Sequence, residues 1–216
     1  MNRMMTAAVA LAAGAVAAVP AAHATLLINI LDNGTQIATS GTTGTGFASA
    51  SATNPNTAFA SVSATANGSP ILAQPDLSSV TINATAATIT GTHILEVDIL
   101  QTGLSGVTGS ESATGTFNSL VGAPGPVTEN IFVNGINLMT RTLTGPADAF
   151  GPVAMGVANV TSDEEQFLIT FSATDQSASA SLQLVGTPVP EPASLTIIGS
   201  ALVGLGWLGR RRRKAS

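Results

Sequence analysis

Apolar and polar residues alternate with a period of two through most of the chain's interior. Ala58, Ala60, Val62, Ala64 and Ala66 alternate with Phe59, Ser61, Ser63 and Thr65. Val80, Ile82 and Ala84 alternate with Thr81, Asn83 and Thr85, and Leu95, Val97 and Ile99 oppose Glu96 and Asp98. Phe167, Ile169, Phe171 and Ala173 oppose Thr170 and Ser172, and Ala178, Ala180, Leu182 and Leu184 oppose Ser179, Ser181 and Gln183. Successive side chains of a strand point to opposite faces, so each run reads as a strand with one apolar face. Turn chemistry separates the runs: Asp32-Asn33-Gly34, Asn67-Gly68-Ser69-Pro70, Gly122 to Pro126, Asn134-Gly135 and Gly145-Pro146. Asn134-Gly135, set between Ile131-Phe132-Val133 and Ile136-Asn137-Leu138, predicts a hairpin of the type I′ class. No window carries a capped helical stripe. The pattern predicts an all-β fold, a single antiparallel β-sandwich over residues 25–186. Its expected core is Leu27, Val62, Ile82, Leu95, Val97, Ile99, Phe132, Phe167, Ile169, Phe171 and Leu184. Residues 40–56, rich in Thr, Gly, Ser and Ala, read as a loose strand or a flexible loop.

Helix is expected only at the two ends. Residues 1–24 carry one charge, Arg3, then a small apolar stretch, then Pro20 and the Ala22-His23-Ala24 triplet. These are the regions of a secretory signal peptide, with cleavage expected after Ala24 to leave Thr25 at the new N-terminus. The other end begins with a linker and Val189-Pro190-Glu191-Pro192 within residues 187–192. An uncharged apolar segment over 193–209 follows, then Arg210-Arg211-Arg212-Arg213-Lys214 within a basic tail, 210–216. As a helix, Ala193 to Leu208 reaches roughly 24 Å, against a hydrocarbon core of about 30 Å. Snorkelling arginines and local thinning close that gap. Trp207 suits the interface, and the basic cluster places residues 210–216 on the cytoplasmic side, with everything before Pro190 across the membrane. Pro190 and Pro192 hold Glu191 in an extended, accessible segment.

The order Val189-Pro190-Glu191-Pro192, apolar segment, basic cluster resembles the PEP-CTERM sorting signal of Gram-negative bacteria, over about the last eighth of the chain. The resemblance implies a membrane-embedded cysteine protease, exosortase, as partner. It would recognise the Pro-Glu-Pro, remove the tail and release or transfer the protein. Signal peptidase, the general secretion machinery and the inner membrane are the other expected partners. The route ends at the cell surface or outside, with the membrane anchor transient. Extracellular polysaccharide is a further expected partner, in a biofilm or matrix setting.

Charge sharpens this picture. Of seven basic residues, only Arg141 falls in the exported region, beside eleven acids, for a net charge of −10 there. Such a surface repels nucleic acid, so no nucleic-acid partner is expected. The chain has no cysteine, so disulfides are excluded. His93 is the exported region's one histidine and no Ser lies in Gly-x-Ser-x-Gly. A nucleophile with base and orienter is not evident, and no enzyme activity and no cofactor are expected. Asp163, Glu164 and Glu165 form the one tight acidic cluster. Hard oxygen ligands suit calcium, but consecutive acids point different ways, so a solvated turn before the Phe167 strand is expected. Glu96 and Asp98 share a strand face that is expected to meet solvent, and Arg141 is expected to pair with an acid. The alternative to a structural surface protein is a carbohydrate- or calcium-binding β-sandwich module.

Overall fold

The computed structural model describes residues 24–69, 72, 76–122, 125–144 and 147–188. These form ten strands and, among the described residues, no helix: β1 (Thr25–Asp32), β2 (Thr35–Thr39), β3 (Phe47–Thr53), β4 (Phe59–Asn67), β5 (Leu77–Ala86), β6 (His93–Val121), β7 (Val127–Val133), β8 (Ile136–Leu143), β9 (Ala147–Phe171) and β10 (Ser177–Pro188). All pairings are antiparallel. The signal peptide with Ala22, the motif Val189 to Pro192, the segment 193–209 and the cluster Arg210 to Lys214 lie outside the described residues.

β6 and β9 organise the fold. They pair from His93 opposite Phe171 to Asn118 opposite Ala147, with register slips between Thr102 and Gly109. Gly103 in β6 (φ 75°) and Asn159 in β9 (φ 54°) are left-handed there. Glycine and asparagine tolerate that conformation, and it turns a strand out of its plane. Each long strand therefore folds at a corner and serves two layers. One layer runs β2, β1, first half of β6, second half of β9, β7, β8. The other runs β3, β4, β5, β10, second half of β6, first half of β9. The result is sandwich-like, but hydrogen bonding is continuous, so the layers are halves of one ten-stranded sheet.

The layers face each other across one main core, and a smaller buried cluster of Ala24, Leu104, Val133, Val157 and Val160 lies at the corner. Phe59 of β4 meets Phe171 of β9 edge to face, centroids 5.2 Å apart. Ser79 N of β5 donates to Glu165 Oε2 of β9 at 3.0 Å. Leu26, Ile28, Ile30, Leu95, Val97, Ile99, Ile131, Phe167, Ile169 and Phe171 fill the first layer's inner face. Ala48, Ala50, Val62, Ala64, Ala66, Ala178, Ala180 and Leu182 fill much of the second's.

The expected Asn134-Gly135 hairpin forms, and the turn at Asp32-Asn33-Gly34 makes a second one. Asn33 and Gly34 join β1 to β2, Asn134 and Gly135 join β7 to β8, and all four have positive φ, as a type I′ turn requires. Two core assignments fail. Leu27 and Phe132 sit on outer faces, half-buried, while Leu26 and Ile131 beside them point inward. Apolar residues lie on both faces there, so alternation leaves the face open. Phe59 is the converse case: a register slip between Phe59 and Ser61 turns it into the core, although alternation places it opposite Val62. Residues 47–53 form a regular edge strand, β3.

Candidate functional site

Three groups of polar side chains stand out, and the first is internal. Asp163 and Glu165 point inward from β9, Glu111 from β6 and Glu129 from β7, each at most 1 % exposed. Both oxygens of Glu111, Glu129 and Asp163, and Oε1 of Glu165, lack a hydrogen-bond partner. Gln101 lies beside Asp163, but its amide is committed elsewhere, accepting from Ser69 N at 2.6 Å and donating to Asp76 O at 3.3 Å. Burial disfavours the ionised form, and hydrogen bonds oppose it only at Asp163 and Glu165. Burial lifts Glu129 to about 8. Burial, then Glu111 and Asp76, lift Asp163 to about 8 against the Gln101 amide. Burial and Asp76 lift Glu111 to about 7. Glu165 is pushed well up by burial, with Glu129 and Asp163 adding and its bonds to Ser79 opposing. At neutral pH Glu129 and Asp163 are held largely protonated.

This corrects the expected solvated turn at Asp163, Glu164 and Glu165. All three lie inside β9, with Asp163 and Glu165 inward and Glu164 outward. They do not converge. Among the described residues no three acids, histidines or cysteines are arranged to hold a metal ion. Arg141 also departs from expectation. It stands cross-strand from Glu129 on the edge strand β8, yet it is exposed and makes no ion pair among the described residues.

The second group crosses the outer face of the first layer as one cross-strand row. Thr39, Asn29, Asp98, Gln166, Asn130 and Thr140 are successive register partners on six strands. Thr39 Oγ1 donates to Asn29 Oδ1 at 3.0 Å, and Gln166 Nε2 donates to Asp98 Oδ1 at 3.1 Å and Glu96 Oε1 at 2.8 Å. Asn130 Nδ2 donates to Gln166 Oε1 at 2.9 Å, and Thr140 Oγ1 to Asn130 Oδ1 at 2.8 Å. Glu96 and Asp98 thus share one amide rather than face bulk solvent alone. Burial, then Glu96 and Glu164, raise Asp98 to about 6 against the Gln166 hydrogen bond. Burial and Glu96 raise Glu164 as well. No sequence signal announces such a row, because it depends on the register of strands far apart in the chain.

The third group closes the end opposite the corner. His93 Nδ1 lies 2.8 Å from Asp32 Oδ1, Asn56 Nδ2 donates to Asp32 Oδ2 at 2.7 Å, and the His93 ring stands edge-on to Phe59. An oriented histidine is half of a nucleophilic site. No described hydroxyl is bonded to it. A surface depression of about 340 Å³ lies on the second layer and is lined by Ser78, Thr114, Thr116, Ser181 and Gln183, without His93.

The functional information is concentrated in the tail. The family model of the PEP-CTERM protein-sorting motif matches residues 188–213, which contain Val189 to Pro192 and the arginine cluster. No curated protein matches the chain in sequence. The chain therefore carries a PEP-CTERM sorting motif. That motif implies an exported protein, with exosortase as processing partner and the cell surface or exterior as destination. β10 ends at Pro188, one residue before Val189, so the folded domain runs up to the motif. β1 begins at Thr25, the residue expected to follow signal cleavage, and Ala24 is buried against the domain.

Proposed function

We propose that this chain is a non-enzymatic surface or extracellular-matrix protein of the biofilm or exopolysaccharide setting. In this reading residues 1–24 are removed on export, 193–209 tether the β-sandwich ectodomain transiently, and exosortase reads Pro190-Glu191-Pro192. The observation that carries the reading is the sorting motif over residues 188–213. Replacing Pro190, Glu191 and Pro192 with alanine tests it. The precursor is expected to accumulate uncut in the membrane fraction. An unchanged size and distribution would sink the reading.

A second reading, a carbohydrate- or calcium-binding module, draws on the six-strand polar row. A flat strip of amides, hydroxyls and acids suits a hydroxyl-rich chain lying across the strands. A glycan array probed with the purified domain, with and without calcium, separates the two readings.

A further inference from the structure

Both ends of the domain leave it at the corner where β6 and β9 fold. Thr25 pairs with Thr102, and Pro188 pairs with Gly109, on either side of the slipped segment of β6. The β7–β8 turn meets the same corner: Asn134 Oδ1 accepts from Thr161 N at 2.8 Å, and Asn134 Nδ2 donates to Asn159 O at 3.0 Å. β4 ends and β3 begins there as well, since Gly68 N donates to Gly46 O at 2.8 Å and Thr43 N to Leu26 O at 2.8 Å. The far end holds His93, Asp32, Phe59 and Gln176, the last donating to Gly122 O at 2.9 Å.

The exposed large apolar side chains are not spread evenly between these ends. Among the described residues there are five, and four belong to the corner: Phe47, Ile136, Leu138 and Val185. Phe47 opens β3, Ile136 and Leu138 follow the Asn134–Gly135 turn, and Val185 lies three residues before Pro188. Ile94 alone stands at the far end. Exposed charge is sparse at the corner. Glu111 and Asp163 are buried, and Asp76 is half-buried and accepts from Gly186 N at 2.6 Å.

The linker is short. Ala193 is the fifth residue after Pro188, and an extended chain spans at most about 3.6 Å per residue, so the corner lies within about 18 Å of the apolar segment. Headgroups occupy part of that distance. Single exposed apolar residues are ordinary on a protein surface. Four of them around the end from which the tether leaves, with little exposed charge, suit an interface with lipid.

We propose that the corner is a membrane-apposed surface. While the tail is attached, Phe47, Ile136, Leu138 and Val185 rest at headgroup level, and the His93–Asp32 end points away from the bilayer. This rests on reading residues 193–209 as a membrane anchor. The test uses the full chain in phosphatidylcholine–phosphatidylglycerol vesicles. The chain has no cysteine, so Phe47→Cys, Ile136→Cys and Ile94→Cys each give one site for an environment-sensitive fluorophore. Circular dichroism confirms that each labelled chain is folded. With nitroxide-headgroup lipid in the vesicles, labels at 47 and 136 are expected to be quenched several-fold more than the label at 94. Equal quenching at the three positions in vesicle-bound protein overturns the orientation and leaves the anchor standing. Failure of the chain to float with vesicles overturns the anchor reading, and the orientation with it.

Discussion

The two layers of the fold reach the same core with opposite means. The first presents branched and aromatic side chains, such as Ile28, Val97, Ile99, Phe167 and Phe171. The second mixes many small ones, such as Ala48, Ala50, Ala64, Ala66, Ala178 and Ala180, with a few large ones, Phe59, Phe117, Leu77 and Ile82. Of the twelve largest fully buried side chains eight belong to the first layer, which therefore supplies more of the bulky apolar groups, while the alanines of the second permit close approach. A mutation should therefore act differently by layer. Phe171→Ala empties a fully buried site and removes the edge-on contact with Phe59. We expect a loss of about 3–5 kcal/mol in denaturant unfolding. Ala64→Leu in the opposite layer adds volume where none is free, and about 1–3 kcal/mol should be lost through overpacking. A larger cost at Ala64 than at Phe171 would break the division of labour.

The buried acids belong mainly to the first layer and give it a pH dependence. Glu129, Asp163, Glu111 and Glu165 have folded values raised above the unfolded ones of 4.5 for Glu and 3.8 for Asp. Below about pH 4 both states hold the protons, and the stability is complete. As pH rises the unfolded chain ionises first, and stability falls until Glu111, Glu129 and Asp163 ionise within the fold at about 7 to 8. Relaxation and water entry reduce the ideal cost, so a loss of about 2–4 kcal/mol from pH 4 to pH 8 is expected. Glu129→Gln keeps the shape and removes one titration. Its stability should match the parent near pH 4, exceed it at pH 8, and give a shallower slope in urea unfolding. A parent curve that rises with pH would show that these carboxylates find partners after all.

How far the sequence discloses this architecture follows the same division. Where apolar and polar residues differ sharply, as in Leu95 to Ile99 or Phe167 to Phe171, alternation gives both the strand and its inward face. The Asn33-Gly34 and Asn134-Gly135 turns are readable because few residues tolerate two positive φ angles in succession. Beyond Leu100, β6 continues through Gly, Ser and Thr with little contrast, so its length is invisible without the partner strand. Gly115 shows why such a residue is there: a Cβ would collide with the Glu129 carboxylate and the Phe150 ring. Asp163 and Glu165 defeat sequence reasoning for a different reason. Unpaired acids are rarely buried, so the prior turns them outward, whereas their position in β9 turns them inward. The sorting motif is the reverse case. It is read from a local run of residue types and needs no fold.

The smallest effect is expected on the outer face. Gln166 holds four groups in place: its amide donates to Glu96 and Asp98, and its carbonyl accepts from Asn130, which in turn accepts from Thr140. The row is partly solvated, so water replaces each lost bond at little cost. Gln166→Ala should lower stability by no more than about 1 kcal/mol, well below any change at the inner face of the same strand. Yet the donor that restrains Asp98 is then gone, and burial with Glu96 and Glu164 would act on it unopposed. Asp98 should titrate above its present value of about 6, which carboxyl NMR during a pH titration reads directly. A large loss of stability instead would mean that the row, and not the apolar inner face alone, holds the six strands in register.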